Sequence, residues 1–84
     1  MGIKIAYYKK SDWDRVTKTM DDREKMHDTW QEWHKEYLKV KINFIKKGFK
    51  VVVVEVNPDE LMLYCAIRGI KNTSAVRSQF VQDK

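Results

Sequence analysis

Between Asp21 and Lys47 the chain reads DDREKMHDTWQEWHKEYLKVKINFIKK, with no glycine or proline. Met26, Trp30, Trp33, Tyr37, Val40 and Phe44 follow one another at steps of four, three, four, three and four. That spacing is a heptad seam, and it predicts one long helix over about residues 22–47. Asp21, Asp22 and Glu24 near its start and Lys46 and Lys47 at its end complement the helix dipole. Gly48 then supplies a residue that enters the left-handed conformation freely and ends the helix. At about 100° per residue the seam forms one stripe. Leu38, Ile42 and Ile45 form a neighbouring stripe in the second half only, so that half is expected to be covered further round. Lys35, Lys39 and Lys46 point away, and Lys41, caught between the stripes, has to carry its ammonium to water along its stem. Coiled coils favour Leu, Ile and Val over this aromatic-rich set, so the seam suits packing on a sheet or short helices within the chain. A seam shared by two copies is the alternative.

The flanking segments predict what the helix packs on. Ile3, Ile5 and Tyr7 alternate with Lys4, Ala6 and Tyr8, the pattern of a short strand near residues 3–8. Ser11 reads as an N-cap, with Asp12 and Asp14 in the first turn of a short helix over 12–20 that buries Trp13, Val16 and Met20. After Gly48, the run Lys50-Val-Val-Val-Val-Glu-Val56 predicts a second strand near 50–56. A continuous apolar run of this kind points to burial on both faces. The two strands are expected to pair, with the helices as crossover; a parallel pair would need that crossover to be right-handed. An uncovered valine edge invites a second copy to add strands, which makes a homodimer the expected assembly. Asn57-Pro58-Asp59-Glu60 combines a capping side chain, a proline at the first helical position and early acids, so a helix runs from there to about Arg68. Gly69 closes it, Ile70 folds back, and Asn72 or Thr73 caps a last helix over roughly 73–82 with Val76 and Phe80 inward. The fold class is therefore α+β in a single compact domain, 1–84. One long helix and three short ones pack on a small two-stranded sheet in the order β-α-α-β-α-α.

A chain of 84 residues supports one domain. Its single cysteine forms no intrachain disulfide, which suits a reducing cytoplasm. No apolar run approaches the ~20 residues that span a bilayer, and the start, MGIKIAYYKK, lacks the pattern of a secretory leader. The net charge of +5 is unevenly placed. Residues 1–36 hold eight basic and eight acidic side chains, whereas residues 37–84 hold nine basic and four acidic. That asymmetry points to an anionic partner, nucleic acid first.

Helix, glycine turn and helix over Leu61–Val81 resemble a helix-turn-helix in outline, with Cys65, Gly69 and Ile70 at the small, glycine and apolar places. On that reading Asn72 and Thr73 open the second helix and Arg77 reaches a phosphate or guanine. Ala75 and Ser78 stand where larger apolar residues are usual, so an ordinary helical hairpin is the competing reading. Lys46, Lys47, Lys50, Arg68 and Lys71 supply phosphate contacts that need no base reading. His27 and His34, seven apart, stand ~10.5 Å apart along a helix, too far to share a metal. Glu24 and His27 match only half of a di-iron pattern. Cys65 has no base near it in sequence and reads as a structural thiol. No phosphate loop, nucleophile elbow or Cys-x-x-Cys is present. The expectation is a non-catalytic binding protein without metal or cofactor, contacting nucleic acid through its basic second half. The rival is a protein-interaction module, accessory, inhibitor or antitoxin-like. It would use the valine edge or the long helix, with its charge facing an acidic protein.

Overall fold

The computed structural model describes residues 2–84. Its elements are β1 (Gly2–Tyr7), α1 (Trp13–Lys18), α2 (Trp30–Lys46), β2 (Lys50–Glu55), α3 (Pro58–Arg68) and α4 (Ser74–Gln82). Single 3-10 turns lie at Lys10–Asp12 and Arg23–Lys25. The architecture is α+β in the expected element order. The two strands pair in parallel, in a register that runs from Gly2 opposite Lys50 to Tyr7 opposite Glu55. Parallel neighbours cannot be joined by a tight turn, and the α1–α2 segment provides the crossover.

The long helix is shorter than its periodicity suggests, starting at Trp30 and not near residue 22. Two sets of hydrogen bonds account for the difference. The Arg23 guanidinium donates to the carbonyls of Met26, His27 and Asp28 at 3.0–3.3 Å, the acceptors that a continuous helix would offer to the next turn. Asp21 and Asp22 are held elsewhere, by the backbone N–H groups of Asn72 and Ser74. The helix proper begins at a Thr-x-x-Glu capping-box sequence. The Thr29 hydroxyl oxygen accepts from the Glu32 backbone N–H at 3.2 Å, and the same hydroxyl donates to the Glu32 carboxylate at 3.3 Å. Ser11 likewise sits inside a 3-10 turn and makes no cap; α1 starts two residues later, without a side-chain cap bond.

Aromatic packing joins α2 to β1. Trp33 is buried, with ring centroids 5.1 Å from Tyr8, 5.3 Å from Tyr37, 5.7 Å from Tyr7 and 5.9 Å from Trp13. The first half of the seam is therefore intrachain core. Val16, Val56 and Leu61 are fully buried around it, with Met20, Phe80 and Val81. The second half of α2 departs from expectation. Leu38, Ile42 and Ile45 are exposed, as are Val52 and Val53 of β2. The valine run is thus not covered on both faces, and among the described residues no further strand lies beyond β2.

The ends of α3 follow its sequence closely. The Asn57 side-chain oxygen accepts from the N–H groups of Asp59 and Glu60 at 2.9 and 3.2 Å, and Pro58 occupies the first turn. At the other end Gly69 takes φ 62°, and the Ile70 N–H reaches back to the Cys65 carbonyl at 3.1 Å. Replacing Asn57 by alanine is expected to cost about 0.5–2 kcal/mol of stability by leaving two amide donors without their acceptor. Urea denaturation should show it as a lower midpoint at unchanged slope.

Candidate functional site

The densest set of polar contacts lies where the segment before α2 meets the α3–α4 turn. The Arg77 guanidinium donates to both carboxylate oxygens of Asp22, at 2.8 and 3.3 Å. It also donates to the backbone and side-chain oxygens of Asn72, at 3.1 and 3.0 Å. The Ser74 N–H completes the Asp22 shell at 2.8 Å. The Asn72 carbonyl in turn accepts from the Asp21 backbone N–H at 2.9 Å, its own N–H donates to the Asp21 carboxylate at 2.7 Å, and its side-chain amide donates to the Thr19 hydroxyl at 3.2 Å. Both charged side chains are inside, 7% exposed for Arg77 and 10% for Asp22. Hydrogen bonding from Arg77 holds the Asp22 carboxyl below its usual pKa, against the opposing effect of burial.

This clasp accounts for three of the residues expected to contact nucleic acid. Arg77 does not reach outward: its guanidinium is consumed by Asp22 and Asn72. Asn72 is buried in the same cluster, and Thr73 caps α4, accepting from the Val76 N–H. The outer face of α4 consists of Ser74, Ala75, Ser78, Gln79 and Gln82, without a cation. The helical hairpin is real, but its second helix offers phosphates only neutral groups. The α3–α4 turn is held by a carboxylate from outside it, which accounts for the inward arginine.

The remaining expected contacts are exposed and fall into two groups. Lys46, Lys47 and Lys50 lie around the α2–β2 turn, while Arg68 and Lys71 lie at the end of α3 and in the turn after it. None of the five has an ion-pair partner among the described residues. Arg68 is stacked on the Tyr64 ring, 3.7 Å from its centroid. No hydrogen bond or ion pair among the described residues links the two groups.

An apolar surface that periodicity alone did not single out lies on α3. Leu61 and Cys65 face the core, which turns Met62, Leu63 and Ile67 outward, with Leu63 60% and Ile67 71% exposed. Ile70 continues that surface just past the helix end. The signal was present in the composition of α3: LMLYCAI holds more apolar residues than one buried stripe can use.

Two shallow grooves, of about 360 and 310 Å³, flank the outer side of β1, the larger reaching α4 and the smaller running along α2. His27 lines the smaller one with Met26, Trp33 and Tyr37, and its Nδ1 is buried without a hydrogen-bond partner. No three His, Cys, Asp or Glu residues among those described stand close enough to hold a metal ion. Burial, reinforced by the nearby Asp21 carboxylate, pushes the Cys65 thiol up, away from the thiolate a nucleophile requires. Among the described residues no helix is long and apolar enough to cross a membrane. Comparison with protein-family models, curated proteins and solved structures found no match to this chain.

Proposed function

We propose that this protein is a non-catalytic protein-interaction module whose docking surface is the outer face of α3. The observation that carries the reading is the exposure of Met62, Leu63 and Ile67 on a helix whose inner face is already buried. Leu63 and Ile67 have the i, i+4 spacing by which a helix enters an apolar groove, and Ile70 extends the surface beyond the helix end. Such side chains left in water carry no folding benefit, and contiguous apolar surface of this kind marks a binding site. Arg68 and Lys71 border the surface at one end, so the complementary partner presents an apolar groove with an acidic rim at that end.

Joint replacement of Leu63 and Ile67 by glutamate is expected to weaken partner binding by at least about 100-fold, the scale of losing two interface anchors. Stability should change by no more than about 0.5 kcal/mol, because both sites are exposed. The check is affinity capture at high salt with the wild type and the double variant, each shown to be folded by circular dichroism. An identical retained set for the two proteins would rule the reading out.

The second reading is phosphate binding by Lys46, Lys47, Lys50, Arg68 and Lys71, supported by their freedom from ion pairs. Binding to duplex DNA or single-stranded RNA through these groups would fall steeply with salt and be indifferent to Leu63 and Ile67. The α3 surface predicts the reverse on both counts.

A further inference from the structure

The two outer edges of the sheet are finished differently. The Val56 N–H donates to the Tyr7 carbonyl at 2.9 Å, so in this parallel ladder the odd-numbered residues of β1 direct their backbone groups toward β2. The even-numbered ones face outward, and side chains occupy two of their carbonyls. The Gln82 amide donates to the Lys4 carbonyl at 3.2 Å and the Trp30 indole to the Tyr8 carbonyl at 2.8 Å. By the same alternation β2 directs Val52, Val54 and Val56 inward and Val51, Val53 and Glu55 outward. Among the described residues no hydrogen bond from outside the sheet reaches those three backbones. One edge is plugged; the other is bare.

Apolar side chains gather beside the bare edge. On α2 Trp33 and Tyr37 pack on the core, while Glu36 and the exposed Val40 lean toward the groove that borders β1. At about 100° per residue Leu38 and Ile45 therefore point to the other side, past β2, whereas Ile42, which lines a groove with Glu36, Val40 and Asn43, points away from the sheet. Leu38 and Ile45 are 42% and 53% exposed. Val53, on the α2 face of the sheet, and Val52, on the opposite face, are each 42% exposed.

We infer that this edge pairs with β2 of a second copy of the chain, antiparallel and centred on Val53, to give a continuous four-stranded sheet. The outward groups are self-complementary about that point. Val53 would exchange both backbone hydrogen bonds with the copy's Val53, and Val51 would do so with the copy's Glu55. The charges agree with this direction: β2 starts with Lys50 and ends with Glu55, so an antiparallel copy brings opposite signs together at each end. A parallel, in-register copy would stack like on like. The two-fold axis stands perpendicular to the sheet, so both α2 helices lie on one face with Leu38 and Ile45 of each turned toward the other, as an isologous contact requires. A two-stranded sheet is also marginal alone, whereas four strands are not.

The size of the surface bounds the affinity. A fully buried aliphatic side chain removes roughly 60–120 Å² from water, so four half-exposed ones supply about 120–240 Å² per protomer. A standard interface takes about 800 Å² from each partner. Backbone and rim provide the remainder, and the pair belongs to the weak class, dissociating in the micromolar range.

Sedimentation equilibrium from about 10 μM to 1 mM is the test, with the 10.1-kDa monomer as reference. The expected result is a monomer–dimer equilibrium. Leu38→Glu/Ile45→Glu should shift it to monomer by more than about 100-fold in dissociation constant, with the circular dichroism spectrum kept. Val53→Cys should oxidise to a covalent dimer, since opposed residues of a hydrogen-bonded antiparallel pair stand ~5.5 Å apart at Cα, within disulfide reach. Val51→Cys, opposed to the copy's Glu55, should not. Monomer throughout, a dimer unaffected by the α2 substitutions, or failure of Val53→Cys to cross-link would each overturn the inference. A dimer abolished by Leu63→Glu/Ile67→Glu would place the contact on α3 instead. Loss of partner capture by that α3 variant with the dimer intact would separate the two surfaces.

Discussion

Asp22→Ala is expected to destabilise the protein by about 3–5 kcal/mol, the range for removing one member of a buried ion pair. A chain of 84 residues has only about 4–13 kcal/mol to lose. The cost comes from what is left behind. Arg77 stays 7% exposed, with its charge facing neutral oxygens of Asn72 only. Replacing both partners with apolar residues of similar volume should be markedly milder, since no buried charge is then orphaned. Denaturant titrations of the two singles and the double form a cycle that isolates the pair. A near-additive cycle would mean that the ion pair is not the source of the loss. The pH dependence has a definite sign. Hydrogen bonding from Arg77 depresses the Asp22 pKa in the folded state. Its stabilisation is therefore complete above the ordinary carboxylate pKa near 3.9 and fades as pH falls through the lower folded value. Stability of Asp22→Ala should accordingly fall less steeply below about pH 4 than that of the wild type.

Trp33→Ala is expected to cost a similar amount, about 3–5 kcal/mol, by emptying the centre of the aromatic cluster. The indole lies between β1 and α1 and touches rings from both, so the surrounding groups cannot all close on the space at once. The near-ultraviolet circular dichroism of the cluster should collapse at lower denaturant in this variant. A loss under about 1 kcal/mol would show that the cluster relaxes into the cavity. Trp30 is a useful contrast. It is only half-buried, but its indole N–H holds the Tyr8 carbonyl, so its removal uncovers part of the protected edge of the sheet.

The parts of the fold that local chemistry controls were legible in the residues. Asn57-Pro58, Gly48 and Gly69 mark helix ends through conformations and caps that depend on neighbours a few positions away. The strand pair with its helical crossover followed from two β-forming runs separated by helix, and the structure gives its sense as parallel. The start of α2 was misread because its periodicity continues back to Met26, which packs against the core without being helical. What breaks the helix is a set of contacts from residues 72–77 and from the Arg23 side chain, and spacing does not encode them. The Thr29/Glu32 capping-box sequence was the local sign of the true start. The same distant contacts explain the binding residues. Arg77 reads as a free cation until Asp22, 55 positions earlier, is placed beside it. The lysines of the α2–β2 turn needed no such information, and they are exposed as expected. The apolar face of α3 was visible in composition, but which side was surplus depended on where Leu61 and Cys65 packed.

The parallel register also sets the order in which the chain can fold. Gly2 pairs with Lys50, so no strand meets its partner by a local turn, and the clasp closes a comparably long loop. Such non-local contacts place the entropic cost of closure before the reward and slow the search. During synthesis β1 and the aromatic side of α2 leave the ribosome long before β2, α3 and α4 can cover them. Until β2 has emerged to meet it, β1 stays an unpaired strand, and the clasp between Asp22 and Arg77 is the last of these contacts to close.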